Sequence, residues 1–140
     1  MSYLLDTNVI SELRKSGPQA DTHVREWVRG KATHRLFLSV ITMMELEIGV
    51  ARAERRDALR GRLLRSWLDD RVLTAFADRI LPVDLAVAQR AASLYVPDPR
   101  PERDMLIAAT AKVHGLHVAT RNVKDFMATG VDVVDPWAHP

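Results

Sequence analysis

The chain has 140 residues, 47% of them hydrophobic and 27% charged, and its 20 basic and 18 acidic residues give a formal net charge of +2. This composition is that of one globular domain, which we expect to span 1–140, and it excludes a disordered chain. The absence of cysteine excludes disulfides, cysteine-ligated zinc and thiol nucleophiles, and with no apolar run of about 18 residues and no secretory signal we expect a cytoplasmic protein without a membrane span.

Short apolar strands alternate with helices along the chain. The first strand, Tyr3-Leu4-Leu5, ends at Asp6, after which Thr7 or Asn8 caps a helix that Gly17-Pro18 terminates. Further strands are predicted at 36–40, 80–83, 117–120 and 131–134. Further helices are predicted at 20–30, 42–54, 56–78, 85–95, 102–114 and 124–127. This alternation predicts an α/β fold whose five-stranded parallel sheet is covered by helices on both faces.

Four acidic residues lie at strand ends or helix starts, where parallel sheets place their chemistry. Asp6 ends the first strand, and Asp125 follows Thr120, which ends the fourth. Glu45 and Asp104 lie in the first turns of the helices predicted to begin near 42 and 102. In a right-handed parallel sheet these four positions can converge at one edge.

Three of these residues also have an ordinary structural interpretation. The segment Thr42-Met43-Met44-Glu45 has the pattern of a capping box, in which the glutamate reaches back to the cap. Asp104 can simply complement a helix dipole, and Asp125 can be a loop residue. Asp6 is hardest to explain in this way, because a buried strand leads directly into a charged group that needs a partner.

Convergence of the four carboxylates would require a cation, because like charges close together raise each other's pKa. Hard oxygen ligands favour Mg²⁺ or Mn²⁺, and the sequence has neither cysteine nor a helical histidine pair of the kind that binds zinc. Carboxylate-held ions of this type are typical of phosphodiester hydrolysis. If four of the 18 acidic residues bind metal, the 20 basic residues exceed the remaining acidic ones by six. Such a surplus of positive charge suits a nucleic-acid partner.

Four sequence blocks resemble the PIN-domain family, in particular the VapC/FitB-type ribonuclease toxins of toxin–antitoxin pairs. They are LDTNVISE at 5–12, SVITMMELEIG at 39–49, DMLIAATA at 104–111 and TRNVKDF at 120–126. The resemblance implies a single PIN domain over 1–140, with a three-layer α/β/α fold and Mg²⁺- or Mn²⁺-dependent endoribonuclease activity. The family's catalytic, metal-binding acids map onto Asp6, Glu45, Asp104 and Asp125.

The resemblance also implies supporting residues and partners. Candidates for orienting carboxylates or water are Thr7, Asn8, Thr120 and Asn122. Arg121 is interpreted either as a phosphate contact or as the salt-bridge partner of a nearby acid. The implied partners are RNA, a small DNA-binding antitoxin whose tail covers the toxin's groove, and a second copy in a homodimer. The arginines between 52 and 65 serve one of these partners or form a solvated helical face.

Other classes of protein with similar features fit less well. A haloacid-dehalogenase-type phosphatase needs a second aspartate two residues after the first, where this chain has Asn8. A receiver domain needs an acceptor aspartate after a middle strand, and Asp84 has the pattern of a helix cap instead. No glycine-rich phosphate loop is present. A catalytically weak PIN-like scaffold that binds nucleic acid or protein stays open as the alternative to an enzyme.

Overall fold

A five-stranded parallel sheet forms the centre of the computed structural model, which describes residues 1–138. The strands are β1 (Tyr3–Leu5), β2 (Leu36–Ser39), β3 (Ile80–Leu81), β4 (His117–Ala119) and β5 (Val133–Val134). Their order across the sheet is β3-β2-β1-β4-β5, and every pairing is parallel. The predicted five-stranded parallel sheet is therefore confirmed. The last two residues of the predicted domain, 139–140, lie outside the described residues.

Eight α-helices surround the sheet within residues 1–138. They are α1 (Thr7–Arg14), α2 (Thr22–Arg29), α3 (Val40–Arg56), α4 (Ala58–Ser66), α5 (Leu73–Ala75), α6 (Leu85–Tyr95), α7 (Glu102–His114) and α8 (Val123–Met127). A π-helical segment, Trp67–Val72, joins α4 to α5. The stretch predicted as one helix over 56–78 therefore contains a π-helical segment, and it ends at Ala75. The predicted break before it is confirmed at Asp57, whose side chain caps α4 by accepting a hydrogen bond from the N–H of Arg60 at 3.2 Å.

The core has two parts, one on each face of the sheet. Leu4 and Leu5 are both fully buried but point to opposite faces, because successive side chains of a strand alternate. Leu5 packs in a cluster with Val9 of α1 and with residues of α2 and α3. Leu4 packs with Ile107 of α7 and Phe126 of α8. These two clusters give the three layers of the predicted α/β/α fold.

No helix within residues 1–138 has both the length and the apolar character needed to cross a lipid bilayer.

Candidate active site

Asp6 lies where the central strand β1 passes into α1. Its N–H donates to the carbonyl of Ala119 at 2.9 Å, which extends the pairing of β1 with β4 by one residue. The residue is 5% exposed, and its carboxylate accepts hydrogen bonds from the N–H of Thr7 and the hydroxyl of Thr120, both at 2.8 Å. The cap of α1 is therefore Asp6, and the prediction that Thr7 or Asn8 caps this helix is wrong. Asp6 belongs both to the helix end and to the edge of the sheet.

Thr120 is fully buried, and its hydroxyl group links residues that follow β1 to residues that follow β4. This hydroxyl donates to Asp6 and accepts hydrogen bonds from the side-chain amide of Asn8 at 3.4 Å and the N–H of Asn122 at 2.9 Å. The side-chain oxygen of Asn8 accepts in turn from the N–H of Arg121 at 3.3 Å. Three of the predicted supporting residues, Asn8, Thr120 and Asn122, thus belong to one network around Asp6, in which Asn122 takes part through its backbone.

Glu45 points to the same region from α3. The capping-box interpretation of this residue is wrong, because α3 begins at Val40 and is capped by Ser39, whose hydroxyl accepts from the N–H of Ile41 at 3.0 Å. One carboxylate oxygen of Glu45 accepts a hydrogen bond from the Thr7 hydroxyl at 2.6 Å. The other lies 3.7 Å from the guanidinium of Arg103. Helix capping therefore does not account for Glu45, whose partners come from α1 and α7.

Asp104 and Asp125 line one small cleft of about 120 Å³, which Arg100 and Lys124 also line. Asp104 is in the first turn of α7, and Asp125 is in the first turn of α8. Asp104 therefore occupies a position where the helix dipole favours a negative charge, as the ordinary interpretation predicts. Its location beside a second carboxylate is what that interpretation does not explain.

The four carboxylates act on one another electrostatically. Burial raises the pKa of Asp104 to about 6, with further contributions from the negative charges of Asp6, Asp125 and Glu45. Burial also raises the pKa of Asp6, against the hydrogen bonds from Thr120 and Thr7, and the charges of Glu45 and Asp125 act in the same direction. The predicted acidic residues are thus brought within electrostatic reach of each other at the carboxyl ends of the strands.

A divalent cation fits this donor set in its chemistry, because four carboxylate groups offer hard oxygen ligands and two of them are destabilised as anions. The four carboxylates do not converge on a single coordination site. Among residues 1–138, no three histidine, aspartate or glutamate side chains are close enough together to hold a metal ion. Asp6 is instead turned to Thr120, and Glu45 to Thr7 and Arg103.

Arg121 packs against an aromatic ring instead of pairing with an acid, and its interpretation as a phosphate contact stays a prediction. Its guanidinium carbon lies 5.2 Å from the ring centroid of Trp137, which is the distance of a cation–π contact. Within residues 1–138 it forms no salt bridge. The residue that does pair with a site carboxylate is Arg103, which the sequence analysis missed. The feature of the sequence that could have identified Arg103 is its position directly before Asp104.

A groove of about 360 Å³ is continuous with the site, since Thr7 and Glu45 are among its lining residues. We call it the arginine groove, because it is also lined by Arg14, Arg52, Arg56 and Arg60. Its apolar lining includes Leu46, Val50, Leu64 and Trp67.

Four of the six arginines predicted as one run have identified positions in the fold. Three of them, Arg52, Arg56 and Arg60, line the arginine groove. Arg65 instead joins α4 to α3. Its guanidinium lies 2.7 Å from a carboxylate oxygen of Glu47 and 3.3 Å from one of Glu54.

Taken together, the fold and the site define an α/β domain with an acidic centre at the carboxyl edge of a parallel sheet. The family model described as PIN domain matches residues 3–130. A VapC ribonuclease, Y4jK, from Sinorhizobium fredii is 39% identical to this chain over 139 residues, which cover 96% of each protein. The chain belongs to the PIN-domain family.

Solved structures show the same relationship in three dimensions. A chain in the crystal structure of FitAcB from Neisseria gonorrhoeae has a TM-score of 0.89 and 38% identity, and the match covers 97% of this chain and 99% of that one. A chain in a toxin–antitoxin complex from Klebsiella pneumoniae has a TM-score of 0.67 and 26% identity, over 96% and 98% of the two chains.

Proposed function

We propose that this chain is a Mg²⁺- or Mn²⁺-dependent endoribonuclease that acts as the toxin of a toxin–antitoxin pair. The observation that carries the proposal is the electrostatic coupling of four carboxylates that come from the end of β1 and from α3, α7 and α8. Membership of the PIN family and similarity to a VapC ribonuclease support RNA as the substrate. The whole chain 1–140 is proposed to act as a single PIN domain in the cytoplasm.

The four carboxylates have the central role in the proposed mechanism. Asp6, Glu45, Asp104 and Asp125 would hold the divalent ion, and one of these carboxylates would accept the proton of the attacking water. The chemistry that the bound ion supplies is activation of water and stabilisation of the charge that develops at the phosphodiester.

Two threonines fix the orientation of carboxylates in this mechanism. Thr120 orients Asp6, and Thr7 orients Glu45, through the hydrogen bonds of 2.8 and 2.6 Å. Oriented in advance, these groups need less rearrangement when the substrate arrives.

The proposed partners follow from the solved structures that this chain is similar to. Similarity to FitAcB, to FitAB bound to a DNA fragment and to a toxin–antitoxin complex supports a small DNA-binding antitoxin as the inhibitor. We propose a homodimer as the toxin's own assembly, within a larger complex with the antitoxin. The arginine groove is the proposed surface for an anionic partner, because four guanidinium groups line it beside the acidic site.

The test of this function is metal-dependent RNA cleavage. Protein stripped of metal by a chelator is expected to cleave labelled RNA only after Mg²⁺ or Mn²⁺ is restored. Asp6→Asn is expected to lower the cleavage rate by at least about 100-fold, because a ligand to the ion is lost.

Asp84→Asn is the matched control. Asp84 is also a capping aspartate that follows a strand, and its side chain accepts from the N–H of Val87 at 3.0 Å, but it belongs to α6. Asparagine caps helices about as well as aspartate, so this variant should keep full activity. Equal RNA cleavage by wild type and Asp6→Asn would refute the proposal.

The second candidate is a PIN-like scaffold without catalysis. The observation that favours it is that no three acidic or histidine side chains within residues 1–138 form a closed metal cluster. Such a scaffold would bind RNA or a protein equally well in the wild-type and Asp6→Asn forms, with no cleavage by either.

A further inference from the structure

Arg103 is the cation in contact with the acidic centre. Its guanidinium lies 3.7 Å from a carboxylate oxygen of Glu45. Within residues 1–138, no other lysine, arginine or histidine lies within 4.0 Å of a carboxylate oxygen of the four site acids. Among the described residues, Arg103 is therefore the one cation within ion-pair distance of the site acids, and it lies on the helix that also carries Asp104.

Neither the helix nor the ion pair explains why an arginine occupies this position. Arg103 is in the first turn of α7, where the positive end of the helix dipole disfavours a cation. Its side chain is 51% exposed, and an exposed ion pair contributes little to stability. A residue that breaks a local rule without a structural gain is a candidate for a functional role.

The two oxygens of Glu45 have different partners. One is fixed by the short hydrogen bond from Thr7, at 2.6 Å, and the other is opposite Arg103. Glu45 is thus oriented on one side and weakly neutralised on the other. A divalent ion that takes Glu45 as a ligand competes with Arg103, whose exposed pairing is easily displaced.

We propose that Arg103 is a displaceable counter-ion that pairs with Glu45 in the metal-free protein and, once released by metal binding, binds a phosphate of the RNA. This inference rests on the proposed function. The guanidinium has five donors in a planar fork that matches two phosphate oxygens at once. Arg103 is tethered beside Asp104, so its released side chain stays at the site. Arg121 instead lies against the ring of Trp137.

The pairing with Glu45 is tested by calorimetric titration of Mn²⁺ into the metal-free protein without RNA. Arg103→Ala is expected to bind Mn²⁺ about five-fold more tightly, since a competing positive charge a few ångströms from the site is gone. In a Glu45→Gln background the same substitution is expected to have a much smaller effect, which separates competition at Glu45 from a general change of charge. Arg90→Ala, the same substitution on α6, is the control and should not change the affinity.

The phosphate contact is tested by steady-state cleavage of RNA at saturating Mn²⁺. Arg103→Ala is expected to lower kcat/KM about 10- to 100-fold, and Arg103→Lys to recover part of the loss, because lysine keeps the charge without the fork. Tighter Mn²⁺ binding together with slower cleavage is a combination that simple structural damage does not produce.

Two results would overturn the inference: Mn²⁺ affinity in Arg103→Ala equal to or weaker than in wild type, or kcat/KM within twofold of wild type. If wild-type protein fails to cleave RNA, the proposed function is wrong, whereas the titration still decides whether Arg103 competes for Glu45.

Discussion

Asp6 keeps its buried position because hydrogen-bond donors, rather than a cation, are its direct partners. The N–H of Thr7 and the hydroxyl of Thr120 each lie 2.8 Å from its carboxylate oxygens. These bonds do not fully offset burial, since the pKa of Asp6 is still raised. Asp104 has no such hydrogen bonds among the described residues, and its pKa is raised to about 6. In the metal-free site, burial and, to a lesser degree, the mutual repulsion of the acids therefore destabilise these carboxylates as anions, which a bound cation would relieve.

The raised pKa of Asp104 leads to a prediction about the stability of the fold. An acid whose pKa is higher in the folded than in the unfolded state binds its proton more tightly when folded, so it destabilises the fold at pH values above the folded pKa. For Asp104 this penalty is full above about pH 6 and disappears as the pH falls toward 4. Asp104→Asn is therefore expected to raise the Tm of metal-free protein at pH 7.5 by a few degrees, while abolishing RNA cleavage.

Thermal unfolding in the presence of a chelator, at pH 7.5 and pH 4.5, measures this effect. The gain in Tm over wild type should shrink or vanish at the lower pH, where the wild-type carboxyl is already protonated. A variant that is less stable than wild type at pH 7.5, or equally stabilised at both pH values, would contradict this account of Asp104.

Single residues were predicted from the sequence where the local pattern was sufficient. Asp6 was singled out because an apolar strand runs directly into it. The cap of α1 was assigned to Thr7 or Asn8 instead of Asp6, because the sequence does not show that one carboxylate both caps the helix and binds Thr120. Arg103 was missed because its partner, Glu45, is distant in the sequence and comes close only in the fold.

Helices α3 and α4 together shape the arginine groove, and they approach each other closely. At Gly61 an added Cβ would lie 2.5 Å from the Cα of Glu54, so only glycine fits there. Arg65 of α4 also pairs with Glu47 and Glu54 of α3 across the same contact. The spacing of the groove's arginines therefore depends on this helix pair.

Two glycine substitutions test the close approach. Gly61→Ala is expected to lower the free energy of unfolding by about 1–3 kcal/mol, because the methyl group meets the backbone of α3. Gly49→Ala is the matched control, since it is also a helical glycine but an added Cβ there meets nothing within 4 Å. It should be neutral or stabilising by up to about 1 kcal/mol.

Urea unfolding measures both variants in parallel. Equal stability of Gly61→Ala and Gly49→Ala would show that α3 and α4 are not held at the distance described.

Helix boundaries were predictable where capping residues are strong. Helices α6 and α7 have the predicted bounds, 85–95 and 102–114, because Asp84 caps the first and Gly115, with φ of 67°, ends the second. The break between the helices predicted at 42–54 and 56–78 is confirmed and lies at Asp57, whereas the π-helical segment Trp67–Val72 was not predicted, because the apolar periodicity continues through it.

At the scale of the whole molecule, the strand order brings distant parts of the sequence together. Because β1 lies between β2 and β4, the residues that follow these strands meet at one edge of the sheet. This is why Asp6 contacts Thr120 across 114 positions of sequence and Thr7 contacts Glu45 across 38. Alternating strands and helices were enough to predict this convergence, whereas the orientation of each carboxylate depends on hydrogen bonds that only the folded structure shows.

The most direct test of the central claim, that four acidic residues form one divalent-metal site, is a calorimetric titration of Mn²⁺ into wild type and four single variants. The variants are Asp6→Asn, Glu45→Gln, Asp104→Asn and Asp125→Asn, with Asp84→Asn as the control. Each is expected to weaken the same saturable binding by about 10-fold or more, while the control binds as wild type does. Absence of saturable binding by wild type, or unchanged binding in all four variants, would contradict the account.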